Sequence, residues 1–270
     1  SSEFSNLMER RILPVSQIDT WLAFDTSTES GSVCICRDRT VLDPIFFSGR
    51  GRHSADLLSK IKEVIDKQGL VIGDIQGILV GAGPGSFTGV RVAAATAKGL
   101  CHSLEAPLWA VSSLRAGAAS IDVHLDSIHV GSGERTKSRD QVLMGERYSP
   151  RCVLFDAREN RVYAACYRSK HSGGMETIIA PHSTTIESIL LACESATIFM
   201  GDGAQRHFDQ ISAAGFQVVS QTIGMPTAEA ICKTVMDSEQ KFRVENISVW
   251  EPQYLRVSSA ERLRRDIGAD

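Results

Sequence analysis

The chain has 270 residues, 43% of them hydrophobic and 23% charged, with a formal net charge of −3. That length fits one large domain or two lobes of about 100 to 150 residues, and no stretch approaches the roughly 18 apolar residues of a membrane span. The small negative charge leaves little general attraction for a phosphate backbone, so an RNA substrate would be gripped mostly by something else. Cys34, Cys36, Cys101, Cys152, Cys166, Cys193 and Cys232 form no C-x-x-C pair and are odd in number, which argues against a disulfide framework or a zinc site and for a reducing cytoplasm.

Residues 1–20 hold Glu9, Arg10 and Arg11 but no apolar core of the kind a secretory signal requires, and read as a tail. Residues 21–25 are an apolar run ending in Asp25. The turn Thr26-Ser27-Thr28-Glu29-Ser30-Gly31 and the run 32–37 complete a predicted hairpin, and 40–47, rich in β-branched and aromatic residues, add a third antiparallel strand. Leu57, Leu58, Ile61, Val64 and Ile65 form the apolar stripe of a helix over 53–67, stopped by Gly69. A strand over 75–80 runs into a glycine-rich loop and then a helix capped by Ser86 or Thr88. Val90, Ala93, Ala94, Ala97 and Leu100 line one side of that helix, small enough for another helix to approach closely.

The second half repeats this order. Residues 152–156 again end in Phe-Asp and lead through a turn into a strand over 161–168; 186–193 read as a helix, and 197–200 as a strand entering Gly201-Asp202-Gly203. Phe24-Asp25 and Phe155-Asp156 correspond. A hairpin, helix and strand copied once resembles the plan of the actin-like (ASKHA, RNase H-like) α/β folds. We expect two lobes, 21–118 and 151–270, joined by a linker at 119–150 in which 131–150 is a long polar loop carrying Arg135, Lys137, Arg139 and Arg147.

Two groups of residues could carry chemistry. The glycines before a helix in Gly81-Ala82-Gly83-Pro84-Gly85-Ser86 could offer backbone N–H groups to a phosphate, but the Walker spacing lacks its Gly-Lys pair, and Ser86 stands where G-x-G-x-x-G needs glycine. A tight turn that lets strand and helix pack closely explains the same residues. Asp25, Thr26 and Ser27, with Gly83, Gly85 and Ser86, are candidate contacts for a nucleotide phosphate or Mg²⁺; a strand-end turn with local side-chain caps is the competing explanation. Asp156 is the mirror position, followed by Ala157 and Arg158 in place of hydroxyls. No histidine pair has the i, i+4 spacing of a helical metal site, and no G-x-S-x-G occurs, so we expect neither a catalytic residue nor a metal.

Phe24-Asp25-Thr26-Ser27-Thr28-Glu29, the run from Gly81 through Phe87-Thr88-Gly89-Val90-Arg91, Phe155-Asp156-Ala157-Arg158 with Val162-Tyr163, and Tyr254-Leu255-Arg256 together resemble the signatures of the TsaB (YeaZ) family. The resemblance implies a paralogue of TsaD, the subunit that transfers a threonylcarbamoyl group to tRNA adenosine. Ser113 and Gly117 stand where TsaD has its two metal-binding histidines, so it further implies a non-catalytic scaffold. It implies pairing with TsaD through the first two helices, with Leu57, Leu58, Ile61, Val64, Ile65, Val90, Ala93, Ala94 and Ala97 as the contact faces, or a homodimer of the isolated chain through the same helices. TsaE joins as an ATP-dependent helper, tRNA is met through the complex in the cytoplasm, and the chain has no cofactor of its own, with ATP or ADP at or near the partner interface. The alternative is an actin-fold nucleotide-binding protein or an ATP-dependent enzyme acting alone.

Overall fold

The computed structural model describes residues 20–48, 53–131, 148–220 and 222–255. In chain order the elements are Thr20–Asp25 (β1), Ser30–Arg37 (β2), Thr40–Ser48 (β3), His53–Lys67 (α1), Gly77–Gly81 (β4), Phe87–Leu104 (α2), Leu108–Val111 (β5), Ser113–Gly131 (α3), Arg151–Asp156 (β6), Val162–Ser169 (β7), Met175–Thr184 (β8), Ile186–Ala192 (α4), Ile198–Met200 (β9), Asp202–Arg206 (α5), Phe208–Ala213 (α6), Gln217–Val218 (β10), Ala228–Asp237 (α7) and Glu239–Phe242 (α8).

Two five-stranded sheets have the orders β3-β2-β1-β4-β5 and β8-β7-β6-β9-β10, which are the same order. In each, the first strand pairs antiparallel with the second and parallel with the fourth. The copying read from the sequence is therefore real at the level of topology: a duplicated α/β actin-like fold. β1 is buried at every position, as a central strand covered on both faces must be, and its sequence is accordingly apolar without alternation. β3 forms the outer edge and tolerates Pro44, since no strand among the described residues pairs with its free side.

The expected linker is corrected by α3. The boundary expected at 118 falls inside α3, which continues to Gly131, and Ala118, Ala119, Ile121 and Leu125 are buried. α3 packs on β6 and β7 of the second sheet, and α7 packs on β1, β2, β4 and β5 of the first. Each half thus covers the other's sheet. The cross-packing is fixed by polar bonds as well: the Ala228 N–H donates to Ser32 Oγ at 2.9 Å, and the Gly224 N–H to Ser120 Oγ at 2.8 Å. Buried Arg151 makes a bidentate pair with Asp122 (2.7 and 3.0 Å), tying the start of β6 to α3. Of the basic loop expected at 131–150, residues 132–147 lie outside the described residues. No helix among the described residues is long and apolar enough to cross a membrane.

Candidate functional site

Asp25 closes β1 and is fully buried. One carboxylate oxygen accepts from the Ser27 N–H and Ser27 Oγ, both at 2.7 Å, and the other from Ser113 Oγ at 2.7 Å. Burial pushes the carboxyl above its usual range, against the pull of those hydrogen bonds. Ser113 also accepts from the Gly83 N–H at 3.1 Å, so one serine joins β1, the glycine loop and the start of α3.

The glycine loop lies directly on the Asp25 turn. The Ser86 N–H donates to Ser27 O at 2.7 Å, Thr26 Oγ1 donates to Gly89 O at 2.7 Å, and the Ala82 N–H donates to Val111 O at 2.7 Å. Ser86 caps α2, accepting from the Gly89 N–H at 3.4 Å. A Cβ added at Gly85 would collide with Ser27 O, at Gly89 with Thr26 O, and at Gly81 with the Asp25 carboxylate. These glycines are spent on backbone approach between loop, turn and helix, and the amides of Ala82, Gly83, Ser86 and Gly89 have protein acceptors. The close-packing explanation accounts for the geometry of Asp25, Thr26, Ser27, Gly83, Gly85 and Ser86. On the mirror side, Asp156 accepts from the Arg158 N–H and pairs with Arg206 at 2.6 Å. Neighbouring Asp202 is pushed above its usual range by burial.

The helix faces require a correction. Leu57, Ile61, Val64, Ile65, Val90, Ala93, Ala94 and Ala97 are all buried, six of them in one cluster with Leu22, Phe24, Val33, Ile78 and Val80 of the first sheet. They are the core of the first lobe because the apolar stripe of a helix beside a sheet is used by that sheet. Of the expected contact residues only Leu58 is exposed, at 57%.

Three residues outside that expectation form a surface group. Arg91 lies over the Phe87 ring at 3.7 Å and the Tyr254 ring at 5.8 Å, with Phe87 and Tyr254 centroids 5.9 Å apart. Phe87 and Tyr254 are 42% and 43% exposed. The segment bearing Tyr254 is held on the loop by the Gln253 N–H, which donates to Ala82 O at 2.8 Å. Two motifs far apart in sequence thus meet on one surface; the readable signal was a bulky aromatic next to a helix cap, where burial cannot use it.

A cleft of about 230 Å³ is lined by Arg115, Tyr148, Lys170, His171 and Lys233 among others, and by no residue of the Asp25 turn or glycine loop. The positions where the resemblance puts metal histidines are both occupied by packing. Ser113 is buried between Asp25 and Gly83. At Gly117 a Cβ would fall 2.5 Å from Gly224 O and 3.0 Å from Val153, so a histidine there would force the two halves apart.

Fold and site define a duplicated actin-like protein whose glycine loop is locked onto its own turn. The model of the TsaD family, tRNA N6-adenosine threonylcarbamoyltransferase, matches residues 49–261. The chain is 26% identical to the tRNA threonylcarbamoyladenosine biosynthesis protein TsaB of Escherichia coli over 242 residues, covering 88% of this chain and 95% of that one. It is 28% identical to TsaB of Bacillus subtilis over 195 residues, 71% of this chain and 75% of that one. The structure of YeaZ from Pseudomonas aeruginosa superposes with a TM-score of 0.68 at 22% identity, covering 88% of this chain and all of the other, which shows the shared fold. The chain belongs to the TsaD family, on its TsaB (YeaZ) side.

Proposed function

We propose that this chain is a non-catalytic subunit of the machinery that transfers a threonylcarbamoyl group to N6 of tRNA adenosine, supporting a TsaD-type catalytic partner in the cytoplasm. The observation that carries the reading is the pair Ser113 and Gly117: one is held in a buried hydrogen-bond relay and the other has no room for a side chain. In this reading the chain brings no cofactor of its own, ATP or ADP enters with the assembled complex and its TsaE helper, and tRNA is met through the partner. The names of its relatives support the pathway.

The partner surface is then built from what the core leaves outside: Leu58 on α1 and the Phe87, Arg91 and Tyr254 group at the start of α2. Aromatic and arginine side chains that are exposed yet mutually braced are the usual anchors of an interface. The test measures transfer of labelled threonine to tRNA by a TsaD-type protein, by this chain, and by both. Transfer only with both is expected, and transfer by this chain alone overturns the proposal. Leu58→Asp and Arg91→Glu should weaken association at least roughly tenfold, ~1.4 kcal/mol, with no change in thermal midpoint, because neither side chain belongs to the core. Association untouched by both variants would reject this surface.

A further inference from the structure

Cysteines that sequence spacing kept apart converge in the second lobe. Cys152 on β6 and Cys166 on β7 are direct cross-strand partners, so their side chains share one face of the sheet. α4 lies on that face, with Ile186 and Ile189 in the same cluster as both cysteines, and Cys193 is its C-cap residue. The Sγ atoms of Cys166 and Cys193 are 3.5 Å apart, and all three Sγ atoms lie within 4.8 Å of one another. The β7–β8 register is irregular on both sides of Cys166.

We propose that Cys152, Cys166 and Cys193 form a trithiolate site for a thiophilic d¹⁰ metal ion, Zn²⁺ or Cu(I). Zinc–sulfur bonds of about 2.3 Å set tetrahedral sulfur edges near 3.8 Å, so closing this triangle takes shifts of about 1 Å or less. The group contains sulfur and no carboxylate or imidazole, a donor set that selects soft ions over Mg²⁺ or Ca²⁺. Cys152 and Cys166 are buried and Cys193 is half-buried, which leaves a way in and an open fourth position for water on Zn²⁺, or a three-coordinate Cu(I). Each thiol gives its proton to solvent as its sulfur binds, so uptake releases up to one proton per cysteine.

A second sulfur group in the same chain sharpens the assignment. Cys34 and Cys232 are 3.7 Å apart, with Cys36 beside Cys232, but all three are buried, with no half-buried member like Cys193 to admit an ion. That trio is packing.

The experiment uses the full chain, reduced and metal-free, offered Zn²⁺, Cd²⁺ and, anaerobically, Cu(I) in separate arms. Native mass spectrometry counts bound ions and the ultraviolet thiolate-to-cadmium charge-transfer band reports sulfur ligation. One ion per chain with a sulfur band, lost in Cys193→Ser and kept in Cys36→Ala, is expected, and the zinc and copper arms decide the ion. No uptake by the wild-type chain, an ion bound without the sulfur band, or equal uptake by Cys193→Ser each overturns the site. Because the wild-type arms need no substitution, the result stands whether or not a variant folds poorly.

Discussion

At the scale of single residues, Asp25 shows what burial does to a group that sequence alone reads as a ligand. Its position after an apolar run and before three hydroxyl residues suited a phosphate or cation site, yet both oxygens are held by Ser27 and Ser113. The folded carboxyl titrates above its ordinary value of 3.8 because burial disfavours the charge. A raised acid binds its proton more tightly in the folded state, so its contribution is fully present below the unfolded value and is lost as pH rises through the folded one. Asp25→Asn should therefore gain stability relative to wild type as pH rises from about 3 toward 7, with a cost of about 1 kcal/mol at the acid end where the neutral carboxyl already fits. Urea midpoints for both proteins across that range measure it, and a constant gap would show that Asp25 does not titrate above its unfolded value. The acid at the strand end was legible; its partner Ser113, 88 positions away, was not, because the contact exists only once α3 has folded back.

Among elements, α2 contains two glycines with opposite roles. Gly89, in the first turn, touches Thr26 O so closely that any Cβ collides, whereas Gly99, on the exposed side, has nothing within 4 Å of where a Cβ would stand. Gly89→Ala should destabilise by roughly 1–3 kcal/mol through overpacking and Gly99→Ala should stabilise by roughly 0.5–1 kcal/mol through helix propensity; chemical denaturation of the two single variants compares them. Equal effects would mean that the loop gives way around Gly89. Periodicity made α1 and α2 legible, since it shows which residues share a face. It cannot show whether that face meets the chain's own sheet or a partner, which is why Leu57, Ile61 and Val90 were expected at an interface and lie in the core. Leu58, read as part of the same stripe, is the member that the sheet leaves outside. α3 was not legible as a helix: its small residues Ala116, Ala118 and Ala119 are buried in the cluster that joins the two sheets, and they give a weak amphipathic signal.

For the whole molecule, the exchange of helices decides how it unfolds. One apolar cluster runs from Trp21, Leu79 and Trp109 of the first sheet through Leu114, Ile121 and Leu125 of α3 to Val153, Phe155 and Met200 of the second, and closes over the first sheet with Ala228, Ile231 and Val235 of α7. A chain cut after α3 would lose α7 and uncover the face of β1, β2, β4 and β5 that α7 packs on. One cut before α3 would uncover β6 and β7. Neither half keeps a complete core, so the two lobes should unfold together although each has its own sheet. Circular dichroism reports both sheets and tryptophan fluorescence reports Trp21 and Trp109, whose tilted rings lie 5.7 Å apart in the first lobe, and Trp250, packed against the core of the same lobe; under urea the two signals should fall on one transition with one midpoint. A fragment of residues 20–131 should lack the cooperative transition altogether. Two separated transitions, or a folded fragment, would show that each sheet is stable without its borrowed helix and that the copied unit still behaves as two domains.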